Sequence, residues 1–219
     1  MARRRRPGLD GEKKVNRAAE QDRPDVAQRR RLWPEVIKGL DLERLVFLDE
    51  TAANTKMARR YGRAPRGERL VDAVPHGHWK TTTFIAALRR GGMTAPCVID
   101  GAMNGDLFVA YVGQMLVPTL RTGDVVVMDN LACHKRAEVR TLIEGAGCRL
   151  LYLPPYSPDF NPIEPAYAKL KALLRKARQR TVAGLENFLG EAVDAFSAPE
   201  CANYFSHCGY SDTPTGKPL

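Results

Sequence analysis

The 219-residue sequence predicts an α/β domain in which helices flank a mixed five-stranded sheet. Three observations carry this. Between residues 44 and 100, three β-rich runs are separated by Gly- and Pro-rich punctuation, as in an antiparallel meander. After residue 106, short apolar runs alternate with helical periodicity, as where strands are joined by helices. Hydrophobic residues make up 44% of the chain, enough for the core of one large domain with or without an appendage.

The elements follow in order. Residues 1–40 hold 12 Lys or Arg against 6 Asp or Glu, with few apolar residues before Leu32 and Trp33. They read as a solvated, partly helical basic arm, or as a DNA-contacting arm or linker. From residue 41 the patterning is globular. Arg44 to Thr51 reads as a buried strand. Residues 54–75, rich in Arg, Gly and Pro, read as loop or hairpin. Lys80 to Leu88 is a β-branched and aromatic strand turning at Gly91-Gly92, and Ala95 to Asp100 is a third strand ended by Gly101. Apolar positions near Leu107, Tyr111, Met115 and Pro118 keep nearly helical spacing, which predicts a helix over 106–120. Val125 to Met128 is an unbroken apolar run, as in a strand buried on both faces. Lys135 to Ala146 is a helix ending at Gly147. Arg149 to Leu153 is a fifth strand broken by Pro154-Pro155, and 162–180 and 182–196 are two more helices. This order resembles the ribonuclease H-like fold, with a core over 41–210 and a flexible tail over 211–219.

Three acidic residues stand out by position. Asp49 closes Leu45-Val46-Phe47-Leu48, Asp129 closes the Val125–Met128 run, and Glu164 opens the long helical pattern, with 34 residues between it and Asp129. A carboxylate at the end of a buried strand is costly unless it is paired or binds a metal. In a ribonuclease H-like sheet the first and fourth strands are adjacent, which brings Asp49 and Asp129 side by side. Mg²⁺ takes carboxylates and keeps part of its hydration shell, so these two and a third carboxylate on a helix suffice for two ions in phosphoryl transfer. Glu164 has a second reading, because Asn161-Pro162-Ile163-Glu164 matches a helix start with Asn as N-cap and Pro at the first position. The helix face of Glu164 continues through Ala168, Lys171, Arg175 and Arg178, opposite a core stripe of Ile163, Tyr167, Leu170, Leu174 and Ala177. Residues 165–185 contain six basic residues and no acidic one. That track reads as a DNA-backbone contact beside a metal site, or as a solvated basic face.

Other signals bear on partners. The formal net charge is +9, which favours a polyanion such as nucleic acid. Arg63 and Arg66, in a Gly/Pro loop, read as DNA contacts or as an exposed hairpin. His134, five residues after Asp129, and its neighbour Lys135 are candidates for a phosphate contact. For His134 the alternatives are a metal's outer shell or a plain histidine at a helix start in a polar loop. His76 and His78 lack a third zinc ligand, and Cys201, His207 and Cys208 make an equally weak case. No apolar run approaches 18 residues, so no transmembrane helix is expected, and the N-terminus Met1-Ala2-Arg3-Arg4-Arg5-Arg6 is not a secretory signal. Five scattered cysteines without a C-x-x-C read as reduced thiols of a cytosolic protein.

The motifs make the chain resemble the DDE transposases of bacterial insertion sequences related to the mariner superfamily. They are Leu48-Asp49-Glu50-Thr51, Gly62 to Gly67, His76 to Thr83, Met128-Asp129-Asn130 with His134-Lys135, and Leu153-Pro154-Pro155-Tyr156-Ser157-Pro158-Asp159-Phe160-Asn161-Pro162-Ile163-Glu164. The resemblance spans about residue 20 to Tyr210. It implies a catalytic triad of Asp49, Asp129 and Glu164 that holds Mg²⁺ or Mn²⁺, in two sites. It also implies hydrolysis at a transposon end followed by 3′-OH attack on target DNA, and a homodimer on DNA in the bacterial nucleoid. Ala52 stands where a larger residue is expected, and Ala132-Cys133 replaces a Gly-Ser-like pair. The helix-turn-helix region usual in the family is not in this sequence, which reads as a catalytic domain. The alternatives are a non-catalytic DNA-binding remnant or regulator, and a structure-specific nuclease of the same fold.

Overall fold

The computed structural model describes residues 17–59, 61–74 and 80–211. Five strands form one sheet: β1 (Leu45–Asn54), β2 (Thr81–Arg89), β3 (Gly92–Asp100), β4 (Val125–Met128) and β5 (Arg149–Tyr152). Their spatial order is β3-β2-β1-β4-β5. The β1–β2 and β2–β3 pairs are antiparallel, whereas β1–β4 and β4–β5 are parallel. The meander and the helix-linked parallel strands therefore occur as the sequence predicts, with β1 and β4 as neighbours.

β1 sits in the middle, and its alternation divides the interior. Leu45 and Phe47 point into one core, Val46 and Leu48 into the other, and all four are fully buried. The first core is covered by α1 (Pro24–Ile37), α4 (Ile163–Ala177), α5 (Val182–Ala192) and α6 (Ala198–His207). The second is covered by α2 (Gly105–Tyr111) and α3 (Ala137–Gly145).

The helix expected over 106–120 changes pitch along its length. Asn104 caps it through Oδ1, which accepts the Asp106 and Leu107 N–H groups at 3.0 and 2.9 Å. After α2 the chain widens into a π turn (Val112–Leu116) and ends in a 3-10 turn containing Pro118, which has no N–H to continue the helix. β3 begins earlier than its sequence suggests. A bulge between its pairs with Ile85 and Ala87 accommodates Ala95 and Pro96, so an edge strand passes through a proline.

One helix lies outside the sequence reading, and another departs from it in being partly buried. α6 packs Cys201 and Phe205 into the first core. α1 occupies part of the stretch read as a basic arm, and there Val26 and Trp33 are buried. Trp33 Nε1 donates to the Tyr210 hydroxyl at 2.9 Å, which donates to the Phe160 carbonyl at 2.7 Å. Both ends of the described chain are thus fastened to the segment that leads into α4.

Candidate active site

Asp49 ends an apolar run but does not end its strand. β1 continues to Asn54 in register with β2, where Asp49 faces Ala86. Pairing with β4 stops at Phe47–Val127. Asp49 therefore lies where β1 and β4 part, and continuing the register two residues puts Asp129 level with it. Asp129 directly follows β4, and Glu164 stands in the first turn of α4. All three line one cleft of about 480 Å³, together with Lys135, Tyr156 and Asn161.

Each carboxylate is held differently. Asp49 is buried, with Oδ1 accepting the Glu50 N–H at 2.8 Å and Oδ2 accepting Asn161 Nδ2 at 2.8 Å. The Tyr167 hydroxyl donates to the Asp49 carbonyl at 2.5 Å and receives the Ala86 N–H at 3.2 Å, which fixes the backbone there. Asp129 Oδ1 accepts the Leu131 N–H at 2.9 Å and lies 2.6 Å from His134 Nδ1. Asn130 Nδ2 donates to the Leu153 carbonyl, tying this loop to the one before α4. The Glu164 N–H donates to the Asn161 carbonyl at 3.1 Å.

The electrostatics follow from that placement. Burial, then the charges of Asp129 and Glu164, push Asp49 up to about 8, against the Glu50 N–H. Burial also raises Glu164, with Lys171 opposing and Asp129 reinforcing the shift. Asp129 goes the other way: burial would raise it, but His134, the Leu131 N–H and Lys135 together hold it below the usual carboxylate range. The Asp129 charge thus raises both Asp49 and Glu164, and carboxylates gathered this closely form a donor set suited to a hard divalent cation, which would reverse the repulsion. The residues present fit such an ion.

Two sequence readings change at this site. Asn161 is not a side-chain cap: α4 starts without one, and the amide is turned inward to Asp49. Its Oδ1 is buried without a partner. His134 is not in a polar loop, because its side chain is fully buried between Asp129 and Glu50, with Nε2 3.1 Å from Glu50 Oε2. A ring hidden this way offers nothing to a backbone phosphate, so the expected DNA contact does not fit His134. Burial lowers its pKa, but the hydrogen bonds to Asp129 and Glu50 more than reverse this, to about 9. Both ring nitrogens are engaged, Nδ1 by Asp129 and Nε2 by Glu50, so beside Glu50 and Cys133 the His134 ring reads as a hydrogen-bonded bridge between two carboxylates rather than as part of a metal cage. Glu50 carries no sequence signal of its bond to His134, since the two lie 84 residues apart in the chain.

The remaining candidates are spread out. Lys135 is exposed in the carboxylate cleft, and Lys171 lies near enough to Glu164 to lower its pKa. Arg175 lines a separate cavity with Asn54, Lys56, Arg59 and Tyr61. Arg178 ends α4 in a left-handed conformation and forms a bidentate pair with Asp72, which fastens the 61–74 loop to the helix. Arg63 and Arg66 are exposed on that loop. His76 and His78 lie outside the described residues. Cys201 and Cys208 are packed in the core while His207 is exposed, so they converge on no metal. No helix among the described residues is long and apolar enough to cross a membrane.

Comparison with solved structures gives the fold independently. The Mos1 strand transfer complex superposes with a TM-score of 0.71 at 18% identity, covering 91% of this chain and 63% of that one. The Mos1 mariner paired-end complex with Mn matches with a TM-score of 0.71 at 17% identity, over 91% and 64% of the two chains. The catalytic domain of Mos1 mariner transposase matches with a TM-score of 0.65 at 15% identity, over 85% and 89%. The chain thus spans a little under two thirds of the Mos1 chains in the DNA complexes and most of the isolated catalytic domain. No curated protein sequence matches it. The description "DDE superfamily endonuclease" matches residues 44–186, a span that contains Asp49, Asp129 and Glu164, and the chain belongs to that family.

Proposed function

We propose that this is the catalytic domain of an insertion-sequence transposase that cuts DNA at transposon ends and transfers the freed strand to a target. The observation that carries this reading is the meeting of Asp49, Asp129 and Glu164 in one cleft, with exposed Lys135 beside it and Lys171 near Glu164. Asp49, Asp129 and Glu164 would hold Mg²⁺ or Mn²⁺, in two sites. Such ions supply Lewis acidity and activate an attacking oxygen. The chain's own residues do the rest. His134 and the Leu131 N–H orient Asp129, Asn161 and the Glu50 N–H orient Asp49, and Lys135 and Lys171 bind backbone phosphates. Arg63, Arg66, Arg175 and Arg178 extend the basic surface along the DNA. Acting on two ends at once calls for a homodimer. Soluble DNA work of this kind belongs in the bacterial nucleoid.

The test is cleavage of a labelled end duplex with Mg²⁺ against EDTA. Asp129→Asn keeps an acceptor for His134 but loses the charge, so the variant should fold while cutting falls by about 10³-fold or more, as for loss of a group acting on the reacting atoms. Undiminished cutting by the variant overturns the triad. Binding by the wild type without Mg²⁺-dependent cutting favours the DNA-binding remnant, and cutting without a strand-transfer product favours a nuclease.

A further inference from the structure

The end of the sheet opposite the carboxylates carries a row of arginines that the cleft does not use. Leu45, Val125 and Arg149 lie level in β1, β4 and β5, and continuing the β1–β2 register from Phe47–Leu88 puts Arg90 beside Leu45. Arg44 precedes β1, Arg121 precedes β4, and Arg89 and Arg90 lead into the turn before β3. At about 4.8 Å per strand, the row from Arg90 to Arg149 spans roughly 14 Å, a length over which duplex DNA carries about eight phosphates. The acidic residues at this end are Asp41, Glu43 and Asp124. Glu43 pairs with Arg90 at 3.1 Å. Asp124 is fully buried. Its Oδ2 accepts the Arg121 N–H at 2.7 Å and the Arg89 guanidinium at 2.6 Å, and Arg44 lies 3.6 Å from Oδ1, which has no hydrogen bond. A buried carboxylate is costly, and this one sits where it holds two guanidiniums in place at the surface. Arg121 and Arg149 are exposed, and among the described residues neither side chain has an acidic partner. The turns between the arginines are bare. A β-carbon added at Gly91 or Gly123 would meet no atom within 4 Å. The φ of +89° at Gly123 calls for glycine, but Gly91 has no such need. A cavity of about 270 Å³ opens between Arg121 and the Gly91-Gly92 turn.

We propose that this end of the sheet binds the backbone of a second DNA duplex, separate from the one in the carboxylate cleft. The proposal rests on the reading of the chain as an enzyme that cuts DNA. Leu45 to Asp49 is four steps of β1, about 13 Å, and the two ends of that stretch face opposite ways. DNA is stiff over about 150 bp, so a duplex lying in the cleft does not wrap round to the far end. Guanidiniums already fixed by Asp124 lose little freedom on meeting a phosphate. Arg121 and Arg149, with no acidic partner to give up, supply charge that displaces counterions from the duplex. Contacts of this kind go to phosphates and carry no sequence information, so the second duplex is held whatever its sequence.

The test fills the cleft of the full chain with a saturating, unlabelled end duplex, in Ca²⁺ so that binding is read without chemistry. A labelled duplex of unrelated sequence is then titrated in. The wild type should bind it with the cleft filled. The double variant Arg121→Gln, Arg149→Gln removes two exposed side chains that hold nothing in the fold. It should bind the labelled duplex about tenfold or more weakly at about 0.1 M salt, and the slope of log affinity against log salt should shrink by about 2. The double variant Arg121→Lys, Arg149→Lys keeps the charge and should recover most of the binding. Both variants should cut the end duplex with Mg²⁺ at the wild-type rate. Displacement of the labelled duplex from the wild type by the end duplex overturns the proposal. Equal binding by the glutamine variant overturns it too, as does slower cutting by that variant. A wild type that holds the second duplex but does not cut the end duplex counts against the strand-cutting reading, while the second contact stands on the binding data.

Discussion

Asn161 shows how one letter serves two readings. In sequence it is the cap of a proline-started helix. In the structure its amide crosses to a strand 112 residues away and donates to Asp49. A cap leaves its trace in neighbouring letters, whereas a bond to a distant strand leaves none. His134 was likewise legible as a residue near Asp129, but its full burial against Glu50 depends on how β1 lies beside the 131–135 segment. Asp49 and Asp129 themselves were legible, because a charge ending an apolar run is a local anomaly. The contact between Asn161 and Asp49 sets an expectation. Asn161→Ala should lower cleavage about 10–100-fold, the usual cost of removing an outer-shell partner, and raise the Mg²⁺ concentration needed for half-maximal rate. A fall in melting temperature with an unchanged metal requirement would assign Asn161 to packing alone.

At the scale of elements, the sheet was readable and its outer fastenings were not. Val125 to Met128 announces a strand buried on both faces, and it is one. α6 buries Cys201, Phe205 and Cys208 at helical spacing, but cysteines read as scattered thiols hide that stripe. α1 buries Val26 and Trp33 within a run whose charge suggests solvent. Its exposed face carries the charge, and one buried tryptophan is enough to seat it. The seat matters because of Arg30. Its guanidinium makes bonds of 2.9 and 2.6 Å to Asp159 and 2.7 Å to Ser157, and lies 4.7 Å from the Phe160 ring centre. α1 thereby sets the course of the loop that delivers Asn161 and Glu164. Arg30→Ala should cost about 1.5–3 kcal/mol, the range for hydrogen bonds to charged groups. Hydrogen exchange should speed at the Glu164 amide before it speeds in β1. Arg30→Lys should not restore the loop, because an ammonium cannot reproduce a forked contact. Exchange rising evenly across the sheet would show that α1 contributes general stability and does not direct the loop.

For the whole molecule, the cleft and the fold make opposing demands, and pH exposes the conflict. Asp49 has an ordinary value of 3.8 and a folded value of about 8. The folded chain therefore keeps a proton that the unfolded chain releases, and stability falls as pH rises through that window. His134 adds the same sign: its folded value of about 9 exceeds 6.5, so its contribution is complete below 6.5 and lost as pH climbs through 9. Asp129, held below 3.8, contributes at higher pH and is lost only in strong acid. With EDTA, the melting temperature should decline from weakly acidic to mildly alkaline pH. A cation bound only by the folded state competes with the Asp49 proton, so Mg²⁺ should stabilise most at the alkaline end. At one hundred times the dissociation constant the gain is about 2.7 kcal/mol. At roughly 2–4 °C per kcal/mol for a chain of this size, that is a shift of several degrees. Asp49→Asn keeps the shape and removes the repelled charge. It should flatten the decline, raise the metal-free melting temperature near pH 8, and lose most of the Mg²⁺ shift. Stability gained by removing a site's charge is the expected trade between fold and function. The same pH slope in Asp49→Asn and the wild type would show that the carboxylate cluster is not the source of the conflict.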